Sequence, residues 1–131
     1  MTGAVLFVDD EPRILDGLRR SLRMQRVPFQ SHFEVGGQAA LAALERGAWD
    51  VVVTDMQMPD VDGAAVLVRA RDLHPACARV ILSGEVAGGQ TVAASLAHRF
   101  LRKPCELDEL VRVVKELLGP PGTPHTEGRS A

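Results

Sequence analysis

The sequence predicts an α/β domain, a doubly wound parallel sheet built from five strand–helix units. Three observations carry that prediction. Short apolar runs rich in β-formers alternate five times with segments of helical hydrophobic period. Runs such as "AVLFV" and "VVVT" show no polar alternation, which suits strands covered by helices on both faces. Right-handed crossovers then leave a doubly wound sheet as the economical topology, and a chain of 131 residues is long enough for one such core.

The first predicted strand is Ala4 to Val8, stopped by "DDEP". Pro12 suits the first turn of a helix, and acids ahead of it favour a helix N-terminus. Ile14, Leu15, Leu18 and Leu22 recur at helical spacing, so that helix runs from Pro12 to about Met24. "VPFQSHF", Val27 to Phe33, reads as a weaker second strand whose Pro28 belongs at its beginning or at an edge. "VGG" is a turn, Gln38 to Arg46 a helix, and Gly47 its C-cap. Val51 to Thr54 is the third strand, "MQMPDVDG" a loop, and Asp62 the N-cap of a helix from Gly63 to about Leu73. Arg79 to Leu82 is the fourth strand. Val86 to Leu96 is a modest helix weakened by Gly88 and Gly89. Phe100 to Arg102 is a short fifth strand ended by Lys103-Pro104. Glu106 to Leu118 is the strongest helix, with Leu107, Leu110, Val111, Val114, Leu117 and Leu118 on one face. Residues 1–118 thus read as one domain, and the Pro/Gly-rich 119–131 as a flexible tail or linker remnant.

Composition narrows the function classes. A net charge of −2 with scattered lysines and arginines gives no basic patch for nucleic acid. No apolar run approaches a membrane span, and "MTGAVLFVDDEP" lacks the basic region of a signal peptide. The two cysteines, Cys77 and Cys105, lie in no ligand cluster and read as free thiols in a reducing cytoplasm. The four histidines are dispersed, Trp49 reads as packing before the third strand, and Asp60 and Asp62 read as turn and cap residues.

The informative pattern lies at the strand ends. Asp9 and Asp10 stand just after the first strand, Asp55 after the third, Ser83 and Gly84 after the fourth, Lys103 after the fifth. Parallel strands bring these ends to one edge, where ligands of such sheets gather. A like-charge pair about 4 Å apart costs on the order of 4 kcal/mol at an effective dielectric near 20. A hard divalent cation would offset the three carboxylates, and an all-oxygen site completed by water suits Mg²⁺ or Mn²⁺. A hard cation, a nucleophilic carboxylate, a lysine and a hydroxyl make a phosphoryl-transfer site. Asp55 would form an aspartyl phosphate, Lys103 and the metal would neutralise its oxygens, Ser83 would donate a hydrogen bond, and Gly84 would leave room.

These residues resemble the receiver domain of bacterial two-component response regulators. The resemblance covers about residues 4 to 118 through "LFVDDEP", "VVVTDMQMPDVDG", "VILSGE" and "FLRKP". It implies a flavodoxin-like sheet of order 2-1-3-4-5. Asp55 would be the phosphoacceptor, while Asp10, Asp55 and the backbone carbonyl of Gln57 would bind Mg²⁺ directly, with Asp9 acting through water. Ser83 and Lys103 would hold the phosphoryl group, and the Lys103-Pro104 bond would be cis. Phe100 would be the aromatic residue that changes rotamer as the hydroxyl residue shifts. Gln57 and Glu85 would influence the rate of phosphoryl loss, and Gly63 would be structural. The implied partners are a sensor histidine kinase or phosphotransfer protein and an output domain or downstream protein. A phosphorylation-dependent homodimer would form through Val86–Leu96, the fifth strand and the last helix. "DDEPRILDGLRRSLR" and "AHRFLRKPCELDEL" further resemble receivers that precede HDOD or HD-GYP output domains.

Three other functions compete. A haloacid-dehalogenase-type phosphatase needs a second Asp two residues after its nucleophile, where this chain has Gln57. A nucleotide-binding domain needs a glycine-rich loop after its first strand, where this chain has "DDEP". A receiver-like docking module acting without phosphorylation is disfavoured by the complete set of acids, hydroxyl and lysine.

Overall fold

A computed structural model describes residues 3–84 and 95–119. Its elements are β1 (Ala4–Asp9), α1 (Pro12–Gln25), β2 (Gln30–Val35), α2 (Gly37–Arg46), β3 (Val51–Thr54), α3 (Gly63–Leu73), β4 (Ala78–Ser83), β5 (Arg99–Arg102) and α4 (Leu107–Leu118). All pairs are parallel and the sheet order is β2-β1-β3-β4-β5. The flavodoxin-like doubly wound prediction is met. Of the predicted fourth helix, only Ser95 and Leu96 lie among the described residues, and both are helical; Glu85 and the tail beyond Gly119 lie outside them.

The unalternating apolar runs do what continuous burial requires. On β1, Val5 and Phe7 face a core shared with Leu15, Leu22, Leu110 and Val114. Leu6 and Val8 face the other side, against Ala40, Leu44, Val52 and Val66. On β3, Val51 and Val53 join the first core and Val52 the second. Burying each such side chain contributes about 1.5–3 kcal/mol, so both layers of helices are held by the same two strands.

β2 starts later than predicted. Its ladder opens at Gln30, whose N–H donates to the Gly3 carbonyl at 2.8 Å, and runs on to Val35 opposite Asp9. Pro28 has no N–H for a ladder, and Phe29 is buried in the core. The strand is at an edge, as Pro28 suggested. Gly47 does end α2, donating to the Ala43 carbonyl, but in an extended conformation rather than a left-handed one. Asp62 caps α3 as predicted, accepting from Ala65 N–H at 2.9 Å. α4 buries Leu110, Val111, Val113 and Val114, and Leu107, Leu117 and Leu118 pack partly buried against the same core.

Candidate functional site: an acidic pocket with a bridging lysine

The ladders fix the backbone of the site. Asp55 N–H donates to the Val8 carbonyl at 3.0 Å, which sets the residue after β3 beside the end of β1. Lys103 N–H donates to the Ser83 carbonyl at 2.9 Å, which sets the residue after β5 beside the end of β4. Four positions distant in sequence therefore meet on one edge.

Their side chains converge. One carboxylate oxygen from each of Asp9, Asp10 and Asp55 lies within 4.8 Å of the others. Lys103 Nζ donates to Asp9 Oδ2 at 2.8 Å and stands 3.5 Å from Asp55 Oδ2. Asp9 is almost fully buried, and its other oxygen accepts from Glu11 N–H at 3.0 Å. Both Asp9 oxygens are thus engaged by the protein, while Asp10 is half-buried. Ser83 is buried at 2% exposure at the end of β4. The Lys103-Pro104 peptide is cis.

The crowding sets the electrostatics. Burial is the main reason the Asp55 carboxyl sits above the ordinary carboxylate value; Lys103 opposes the rise and the Asp9 charge adds to it. Burial alone would lower the Lys103 ammonium. The Asp9 hydrogen bond and the charges of Asp55 and Asp9 outweigh it and hold Lys103 above its usual value. One lysine serves two carboxylates in a three-carboxylate cluster. All-oxygen donors with an unbalanced negative charge have the chemistry that a hard divalent cation requires, so the residues present fit Mg²⁺.

The loop after Asp55 is shaped by a close approach. A Cβ on Gly63 would collide with the Asp55 carbonyl oxygen and lie 2.8 Å from Met56 Cα, and Gly63 N–H donates to the Met56 carbonyl at 2.7 Å. Glycine there lets α3 start directly against the backbone of Asp55 and Met56. Thr54, fully buried, donates its hydroxyl to the same Asp55 carbonyl at 2.9 Å. Met56, Gln57, Met58, Pro59 and Asp62 line an open cleft of about 480 Å³ beside Asp55. Among the described residues, a Cβ added at Gly84 would meet only Lys103 Cβ, at 3.9 Å. Phe100 is half-buried against the cluster of Leu67, Ile81 and Leu96, which also receives Met56.

Sequence reasoning missed one participant. Asp60, read as a turn residue, accepts from Gly37 N–H at 3.1 Å, Gln38 N–H at 2.9 Å and Val61 N–H at 2.7 Å. It caps α2 from a different loop. The available signal was "VGG": a helix preceded by glycines has no side chain of its own to satisfy its first N–H groups.

The chain is similar to known proteins in sequence and in fold. The chain is 36% identical over 120 residues to the transcriptional regulatory protein PrrA of Mycobacterium tuberculosis, covering 87% of this chain and 49% of that one. It spans half or less of the length of the other curated relatives it matches as well. The structure resembles the response regulator protein TrrA of Thermotoga maritima in complex with Mg(2+)-BeF, with a TM-score of 0.79, 27% identity, and coverage of 90% of this chain and 100% of that one. It also resembles the signal receiver domain of an HD domain-containing protein from Pseudomonas fluorescens Pf-5, with a TM-score of 0.79, 26% identity, and coverage of 90% and 95%. The response regulator receiver domain family matches residues 5–115. With its five-stranded order and its acidic cluster, the chain belongs to that family: it is a receiver domain of the two-component response regulators.

Proposed function

We propose that this receiver domain is switched by phosphorylation of Asp55. The observation that carries the reading is the convergence of Asp9, Asp10 and Asp55 under the Lys103 ammonium. An Asp55 oxygen attacks the phosphorus of a phosphohistidine on a sensor histidine kinase or phosphotransfer protein. The P–N bond breaks, its electron pair returns to the imidazole nitrogen, and an aspartyl phosphate forms. Lys103 follows the charge onto the phosphoryl oxygens and Ser83 donates a hydrogen bond to one of them. Mg²⁺ (or Mn²⁺) supplies positive charge there when bound. Asp10, Asp55 and the Gln57 carbonyl would hold it directly. Asp9, whose two oxygens accept from Glu11 N–H and Lys103, would act through water.

In the same reading Gln57 and Glu85 tune phosphoryl loss, and Phe100 reports the state to an output domain or downstream protein. That output includes, as a finer proposal, an HD-type domain. The domain works in the cytoplasm, and among the described residues no helix is long and apolar enough to cross a membrane. Cys77 and Cys105 are both in the thiol form.

Intact mass after incubation with Mg²⁺ and acetyl phosphate tests the proposal. One acid-stable, base-labile phosphoryl adduct is expected, and none in Asp55→Ala or with metal removed by EDTA. No adduct from acetyl phosphate or from any phosphorylated histidine donor would replace the reading with a docking module that never uses phosphate.

A further inference from the structure

The loop that carries the site is anchored at both ends to β1. At one end Asp55 N–H donates to the Val8 carbonyl at 3.0 Å. At the other end the anchor is indirect. Asp60 holds the first two amides of α2, Gly37 and Gln38. The residue before them, Gly36, donates its N–H to the Asp9 carbonyl at 2.9 Å. Gln57 lies between these two anchors.

The second anchor depends on features unusual for a helix start. Gly36 sits at φ +90 and contributes no capping side chain to α2. A Cβ on Gly37 would collide with the Val61 carbonyl oxygen, so the loop and the helix end meet backbone to backbone. Asp60 therefore supplies the cap that Gly36 cannot, and its position makes the cap a tie between the loop and α2. The three N–H donors hold its carboxyl below the ordinary carboxylate value, so the tie is ionised throughout the neutral range.

We infer that Asp60 is a positioning residue for the metal site: by clamping the loop to α2 and, through Gly36, to Asp9, it fixes the backbone carbonyl of Gln57 where a divalent cation is to be bound. The inference rests on the proposed metal-dependent reading of the acidic pocket. Asp60 touches neither metal nor phosphoryl group; it acts through the Gln57 backbone. A residue that holds a ligand from one step away commonly changes metal affinity by about tenfold or more.

Two readouts on the intact chain test this: Mg²⁺ affinity by calorimetry, and amide hydrogen exchange by NMR in the absence of metal. In Asp60→Ala, exchange at Gly37, Gln38 and Val61 should quicken while Leu110 to Val114 stay protected, and Mg²⁺ should bind on the order of tenfold more weakly. Asp60→Asn keeps one carbonyl oxygen as acceptor and should fall between wild type and Asp60→Ala in both readouts. Faster exchange with unchanged Mg²⁺ affinity would reduce Asp60 to a helix cap and overturn the inference. Unchanged exchange would show that the clamp is not made. Equal weakening in both variants would assign the effect to charge alone. A wild-type chain that binds no Mg²⁺ would remove the metal reading and this inference together, whereas wild-type binding with an unaltered Asp60→Ala removes only the inference.

Discussion

The two edges of the sheet use carboxylates in opposite ways. Where the strands begin, Asp50 accepts from the Ala4 N–H at 2.8 Å, and its own N–H and carbonyl pair with Ala4 and Ala78, each at 2.9 Å. That carboxylate meets a backbone donor and completes the fold. Where the strands end, Asp9, Asp10 and Asp55 crowd together around Lys103. Those carboxylates oppose one another and leave charge unbalanced. The same ladders position both sets; the difference is that Asp9, Asp10 and Asp55 share one place, whereas the Asp50 carboxylate meets a backbone donor. One edge completes the fold, and the other stores repulsion that a cation can relieve.

The sharpest way to break this contrast is to remove the lysine. In Lys103→Ala the buried Asp9 keeps, among the described residues, only its Glu11 N–H donor. Stability should fall by about 2 kcal/mol, read from urea unfolding, because a buried carboxylate is left without its counter-charge. Acetyl phosphate labelling of Asp55 should slow on the order of a hundredfold, since in the proposed function the lysine also meets the charge that develops in transfer. Asp50→Ala makes the complementary test. It should lower stability by roughly 1 kcal/mol through the lost hydrogen bond to Ala4, with Mg²⁺ affinity and labelling unchanged. If Asp50→Ala slowed labelling as Lys103→Ala does, the two edges would not be separable in function.

How far the sequence could be read respects the same division. Val5 to Val8 and Val51 to Val53 announce doubly covered strands, because continuous burial leaves no room for polar alternation. Acids, serine and lysine at strand ends are legible because parallel pairing sends every strand end to one edge. β2 was legible in place but not in extent: Val27 to Phe29 reads as strand by propensity, yet the ladder cannot begin until the chain passes Pro28. Asp60 was not legible as a clamp. Its partners Gly37 and Gln38 lie 23 and 22 residues away, and only the folded loop shows which helix it caps. His98 was similarly silent: read as dispersed, it accepts the Arg79 N–H at 2.9 Å through Nδ1 and supports the start of β4. Side chains that cap or latch across elements leave no periodicity to detect.

The smallest expected effect probes the stored repulsion itself. Burial and Asp9 raise the Asp55 carboxyl above its ordinary value of 3.8 despite Lys103. The folded chain therefore holds that proton more tightly than the unfolded chain does, and stability falls as pH rises through the raised value. Above it, the ionised carboxylate opposes folding. Asp55→Asn removes that charge while keeping the shape, so in EDTA at neutral pH it should be more stable than wild type by roughly 0.5–1 kcal/mol. Below pH 3.8, where Asp55 is protonated in both states, the advantage should vanish. Added Mg²⁺ should reverse the neutral-pH order, because a cation stabilises the folded form that binds it and Asp55→Asn lacks a ligand of the proposed metal site. Urea midpoints of the two chains, compared at both pH values and with and without metal, measure this difference directly. An Asp55→Asn chain no more stable than wild type in EDTA would mean that Lys103 already balances the edge, and that the site's negative charge is no strain on the fold.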